Sequence, residues 1–264
     1  MVERLTFYGK LILNGTLRAR TGLQIGANQS GMEIGGVDKY VIKDARGRPF
    51  VPGSSLKGKL RSLSERLENR TLSGRGEVRI HTCESPDKFS DCYTCHIFGL
   101  PGERDFAQPA RLMVRDAPLI EDSITPQMRD FMDLPYTEIK WENVLDRVTS
   151  AAVPRQFERV PAGAEFALEM VFTCYEERDL DYLRRLFSLM KLLEDDALGA
   201  SGSRGYGKIE FRDLTLRWHS SASYLGAEGE SRLLNDRPLA LSEVLEQLDG
   251  LLQAVEQDVS GRAG

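Results

Sequence analysis

The chain has 264 residues, 41% hydrophobic and 28% charged, a composition that excludes a disordered or collagen-like polymer and allows a sizeable buried core. No stretch reaches the roughly 18 apolar residues of a membrane span. Residues 1–5 contain Glu3 and no apolar run, so no secretion signal is visible and a cytoplasmic protein is expected.

Net charge is −5, but residues 1–70 hold 13 Lys and Arg against 6 Asp and Glu. One basic and one acidic face are therefore expected. Leu5, Phe7, Leu11 and Leu13 alternate with polar residues, the period of a half-buried strand, with a bulge placed at Gly9. Residues 21–53 are polar, glycine-rich and aperiodic; such a stretch in a compact protein is functional or disordered. Leu56, Leu60, Leu63 and Leu67 then share one helical face, with Ser54 or Ser55 as N-cap. Residues 71–109 read as an insertion, and 110–118 as a short strand with Leu112 and Val114 facing one way.

Phe166, Leu168, Met170, Phe172 and Cys174 form one face of the clearest strand, at 164–174, which makes Cys174 a core residue. A helix follows through Leu183, Leu186, Phe187, Met190 and Leu193. In the strand at 208–218 the apolar phase slips between Phe211 and Leu214, which a bulge at Arg212-Asp213 explains. After a polar linker at 219–231, one amphipathic helix is predicted through Leu241, Val244, Leu245, Leu248, Leu251, Leu252 and Val255. The order of elements is that of an α+β, βαββαβ ferredoxin-like core, which alone says nothing about function.

Three segments carry chemistry. In Gly199-Ala200-Ser201-Gly202-Ser203-Arg204-Gly205-Tyr206-Gly207-Lys208, the glycines remove side chains that would keep a phosphate from the main-chain N–H groups. Arg204 and Lys208 add charge there, and Tyr206 is placed to stack on a base or ribose. The glycines follow a helix and precede a strand, unlike the nucleotide-binding fingerprints. In Pro52-Gly53-Ser54-Ser55-Leu56-Lys57-Gly58-Lys59-Leu60-Arg61, a helix N-terminus offers free N–H groups to an anion, with Ser54 and Ser55 as further donors. Lys57 and Arg61, four apart, share one face. Finally, Cys92 and Cys95 have the spacing that wraps Zn²⁺, with His81 and Cys83 completing four ligands and His96 in reserve. A closed set of four makes a structural site that organises an insertion lacking its own core. No nucleophile–histidine arrangement is visible, and only three histidines exist.

Together these segments resemble the RAMP superfamily, and within it the repeating backbone subunits of type III CRISPR effector complexes. Further stretches carry the likeness: Thr21 to Gly26, Ile34-Gly35-Gly36-Val37-Asp38, Val41-Ile42-Lys43-Asp44, Glu142-Asn143 with Asp146-Arg147, and Pro154 to Arg159. The resemblance spans about residues 5–215. It implies an RRM-like palm, taken over residues 1–218, with a thumb hairpin at 137–160 and inserted fingers, for which the zinc-binding insertion at 71–109 stands; the linker and amphipathic helix at 219–264 read as a cap on the core or a partner-facing helix. It further implies guide RNA and single-stranded target RNA as ligands, and more copies of the chain and other complex subunits as partners. Gln24, Ser54, Ser55, Lys57, Arg61, Arg155 and the Gly199–Gly207 loop would contact RNA. Gln24 stands where many relatives carry histidine. Asp38 matches the aspartate that enables Mg²⁺-type metal-dependent target cleavage in active members; an inactive, binding-only subunit is the alternative. Asp44, ahead of Ala45-Arg46-Gly47, reads as a turn residue.

Overall fold

The computed structural model describes residues 5–26, 39–74, 78–100, 102, 104–226 and 231–260. In chain order it contains strands β1 (Gly9–Ala19) and β2 (Phe50–Val51), helices α1 (Gly53–Leu67), α2 (Pro86–Ser90) and α3 (Tyr93–Phe98), and strands β3 (Leu112–Val114) and β4 (Ala117–Pro118). Next come α4 (Pro126–Arg129), β5 (Glu138–Leu145), β6 (Ala152–Arg159), β7 (Glu165–Cys174) and α5 (Asp179–Asp195). Then follow β8 (Ile209–Ser220), α6 (Ser221–Tyr224), β9 (Arg232–Leu233), α7 (Leu241–Glu246) and α8 (Leu248–Ser260).

Alternation along β1 buries Leu11, Leu13, Leu17 and Ala19 on one face. The neighbours supply matching rows: Leu11 lies opposite Phe172 and Trp218, and Leu17 opposite Phe166 and Phe211. The antiparallel sheet runs β3-β7-β1-β8-β9, so the first four strands have the ferredoxin-like order, and α1 and α5 pack on each other and against these strands. The helix-facing side chains Leu56, Leu60, Leu63, Leu183, Leu186, Phe187 and Met190 join the same core. The expected bulge is present: the pairing shifts between Asn14/Thr215 and Thr16/Arg212, and Asp213 takes a positive φ of 52°. Gly9 is no bulge. It sits in the ladder opposite Cys174 and Ser220, where an added Cβ would come within 2.3 Å of His219 O. The strand begins at Gly9, later than the periodicity indicated, and Leu5 is exposed.

The single C-terminal helix expected from the periodicity is two. The backbone leaves the helix at Gln247 and restarts at Leu248. Leu241, Val244, Leu252, Val255 and Val259 are buried in the palm's own core, and Trp218 Nε1 donates to Asp258 Oδ2 at 2.7 Å. The tail is thus part of the palm's packing. At the end of the insertion, Arg111 is fully buried and donates to Asp179 at 2.9 Å and Glu176 at 2.8 Å. Asp179, the first residue of α5, in turn accepts the Glu176 N–H at 3.0 Å and so ties the preceding turn to the helix. No helix among the described residues is long and apolar enough to cross a membrane.

Candidate nucleic-acid interface

The glycine-rich loop leaves α5 and turns back into β8. Two of its glycines answer to the fold. Gly199 and Gly207 have φ of +82° and +75°, and a Cβ at either would lie 2.2 and 2.1 Å from the carbonyls of Gln24 and Leu198. The Ala200 N–H donates to Gln24 O and the Gly207 N–H to Gly22 O, tying the loop to the segment after β1. Gly202, Ser203 and Gly205, with Gly199, also line an open cleft of about 570 Å³, with Thr21, Lys59, Lys208, Asp195 and Asp196 around it. The Ser201, Gly202 and Ser203 N–H groups have no main-chain partner among the described residues. The early helix and the late glycine run therefore meet at one cleft, but through Lys59, whose Nζ lies 3.1 Å from Asp196 Oδ2.

Lys57 and Arg61 point elsewhere, which corrects the expectation that they hold phosphates. Lys57 Nζ donates to Leu112 O at 2.8 Å, and burial, then the charge of Arg61, pushes its pKa down. Arg61 is saturated: Nε donates to Glu65, Nη1 to Gly99 O and Nη2 to His81 O, at 3.0, 2.9 and 2.8 Å. At about 100° per residue, Lys59 falls on the opposite flank of the leucine stripe from these two. Periodicity shows two flanks but not which one meets the glycine loop. The helix N-terminus is also engaged. Pro52 is the N-cap, neither serine caps, and the Gly53 N–H donates to Asp116 Oδ1 at 2.8 Å. Ser54 is exposed and Ser55 half-buried.

Two further assignments are corrected. Tyr206 is 1% exposed, so its ring cannot stack on a base. It lies between Lys140 Nζ and Arg159 Cζ, 4.5 and 5.1 Å from its centroid. Gln24 is fully buried, and neither atom of its amide head finds a hydrogen-bond partner among the described residues. Arg204 Nη1 is paired with Glu142 Oε2 at 2.9 Å. Arg155 is exposed on β6, opposite Glu142 in the register.

β5 and β6 form a two-stranded antiparallel sheet of their own, a hairpin. Trp141, Leu145, Val148 and Val153 are 61, 55, 92 and 54% exposed on it. At its base Val160 bridges Leu23, and Lys39 O accepts the Glu158 N–H at 3.0 Å. The buried Glu158 carboxylate takes the Val41 N–H at 2.9 Å, the Thr137 hydroxyl at 2.6 Å and Lys43 Nζ at 2.5 Å. Asp38, with Ile34 to Val37, lies outside the described residues. The chain on either side of that stretch is fixed: Gly26 bridges Val41, and the Ile42 N–H donates to Ile25 O. Asp44 is the expected turn residue, accepting the N–H groups of Arg46 and Arg48 at 2.9 Å.

In the insertion, the ligand atoms of His81, Cys83, Cys92 and Cys95 all lie within 4.8 Å of one another. His81 Nε2 is 3.5 and 3.3 Å from the sulfurs of Cys83 and Cys92, and Cys83 Sγ is 3.6 Å from Cys95 Sγ. Sulfurs around tetrahedral Zn²⁺ stand about 3.8 Å apart, given Zn–S of about 2.3 Å, so the buried set fits a metal ion. His81 Nδ1 lies 3.0 Å from Thr71 O, which orients the ring. A hydrogen bond from the Cys95 thiol holds the Cys92 thiol below its usual pKa, while the same partnership raises that of Cys95 and burial raises that of Cys83. His96 is apart from the cluster, stacked on Tyr182 at 5.0 Å.

A ferredoxin-like palm bearing a hairpin, a glycine-lined cleft with Lys59 and Lys208 beside it and a His/Cys-clustered insertion defines an α+β protein of the RRM-like class. Residues 16–210 match the RAMP superfamily, and the chain belongs to it. It is 41% identical over 252 residues, 94% of this chain and 96% of the relative, to a Methanocaldococcus jannaschii protein named CRISPR system Cms endoribonuclease Csm3. A protein of the same name from Methanothermobacter thermautotrophicus is 36% identical, covering 89% of this chain and 96% of its own. Among solved structures, a chain of the Csm3–Csm4 subcomplex in the type III-A CRISPR-Cas interference complex matches with a TM-score of 0.61 at 34% identity, covering 93% of this chain and 97% of that one. Methanopyrus kandleri Csm3 matches with a TM-score of 0.65 at 26% identity, covering 93% and 98%.

Proposed function

We propose that this chain is the repeating guide-RNA-binding backbone subunit of a type III CRISPR interference complex, and that it cuts bound target RNA at regular intervals in the cytoplasm. The near full-length identity to relatives named as Csm3 endoribonucleases carries this reading. Its partners are guide RNA, target RNA, further copies of itself and the other subunits of the complex. The cleft of Lys59, Lys208 and the Gly202–Gly205 turn holds guide phosphates through main-chain N–H groups and charge. The hairpin, with Trp141, Val148 and Arg155 exposed, wedges between bases and displaces one.

Asp38 is the catalytic residue. Its carboxylate would hold a divalent ion such as Mg²⁺, supplying charge neutralisation at the scissile phosphate, or take the proton from the attacking 2′-hydroxyl. Displacement of the base turns its ribose so that the 2′-oxygen lies in line with the adjacent phosphorus. That oxygen attacks, loses its proton to a general base, and the 5′-oxygen of the next nucleotide leaves, giving a 2′,3′-cyclic phosphate and a 5′-hydroxyl end, with the in-line geometry accounting for most of the acceleration. His81, Cys83, Cys92 and Cys95 hold a structural Zn²⁺.

The test is Asp38→Ala in the assembled complex. Cleavage is expected to disappear while guide and target binding persist. Continued cutting at the same spacing would remove Asp38 from the mechanism.

A further inference from the structure

Arg204 and Tyr206 lie on the loop that lines the cleft, yet neither side chain is presented to it as a free RNA contact. Both face the hairpin. Arg204 Nη1 meets Glu142 Oε2 at 2.9 Å, and Glu142 Oε1 also takes Lys140 Nζ at 3.3 Å. The Tyr206 ring is buried between Lys140 of β5 and Arg159 of β6, so it touches both hairpin strands at once. Arg159 is itself steered by Glu138 at 2.6 Å and by Gly22, where a Cβ would strike its Cδ at 2.4 Å.

The hairpin shares no ladder with the palm sheet. Among the described residues, main-chain bridges join it to the rest of the molecule at Leu23/Val160 and Lys39/Phe157. Beyond these bridges a two-stranded ribbon is free to tilt and twist. The Tyr206 contacts brace the ribbon at the level of these bridges, where Lys140 lies opposite Phe157, and the Arg204–Glu142 contact acts two residues further along β5. They are charge-assisted and ring-centred, hence directional.

We infer that Tyr206 and the Arg204–Glu142 pair form a latch that fixes the hairpin's tilt over the phosphate cleft, making Arg204 and Tyr206 positioning residues that act on RNA through the hairpin. The inference rests on the proposed role of the hairpin in displacing bases. The same loop holds the backbone and aims the wedge, so phosphate register and base displacement are set together.

The experiment uses the assembled, guide-loaded complex and target RNA carrying 2-aminopurine beside each mapped cut. The fluorescence rise reports unstacking, and gel electrophoresis reports cutting. Glu142→Gln and Arg204→Gln should each lower the fluorescence rise and the cleavage rate about fivefold. The double variant should be no worse than either single one, and the amount of bound guide should stay unchanged. Tyr206→Leu should behave like them, since it removes the ring set against Lys140 and Arg159. A direct phosphate role for Arg204 gives the opposite sign at Glu142: removing that carboxylate frees the guanidinium and strengthens RNA binding. That outcome, or unchanged cleavage in both variants, overturns the latch. If the parent complex shows no unstacking at all, the proposed hairpin role fails instead.

Discussion

Glu158 joins three segments that sequence distance keeps apart: Val41 and Lys43, Thr137, and its own strand β6. A buried carboxylate is tolerated only when its lone pairs are filled, and here they are. Glu158→Gln replaces one acceptor by an amide donor, so Val41 or the Thr137/Lys43 pair loses its partner. The expected cost is roughly 1–3 kcal/mol of unfolding free energy, read as a lower denaturant midpoint with an unchanged slope. An unchanged midpoint would show that the brace is dispensable. The sequence displayed Glu158 but not its burial, because its partners lie 21 and 117 residues away. Lys57 and Arg61 show the same limit. Helical spacing put them on one face, and only tertiary packing decided that this face meets β3 and the insertion rather than the cleft.

Elements whose apolar period is long and unbroken were readable in advance, as β7 and α5 show. Their side chains face one uniform core. The break between α7 and α8 was not, because Gln247 is neither glycine nor proline and the apolar stripe runs straight through it. The cysteine spacing marked the metal-type cluster because such ligands must be close in sequence when no local core holds them. Purified protein is expected to contain roughly one zinc per chain by elemental analysis. Chelation or Cys92→Ser should lower thermal stability, and metal-free protein of undiminished stability would contradict the assignment. The insertion's return is anchored by Arg111 on Asp179, both with side chains fully buried. Arg111→Met leaves that carboxylate unpaired and should cost about 3–5 kcal/mol, seen by chemical denaturation.

At the scale of the whole molecule, the tail closes the core. Deleting residues 241–260 would uncover the faces of α5 and β8 that Leu241, Val244, Leu252 and Val255 cover. Loss of cooperative unfolding is expected by calorimetry, and a sharp transition in the truncated chain would make the tail an accessory. The ferredoxin-like order was visible in the sequence of elements, whereas the tail's amphipathic stripe allowed either a cap on the core or a partner-facing helix, since such a helix does not name its partner. With a net charge of −5, the chain must attract RNA through a local basic site, and the account places it between α1 and the glycine loop. The most direct test is the salt dependence of guide-RNA affinity. Lys59→Ala should make the slope of log K against log salt shallower by about 0.7, as for one lost single-strand phosphate contact, while Lys57→Ala leaves it unchanged. A flatter slope for Lys57→Ala with none for Lys59→Ala would move the RNA track off this cleft.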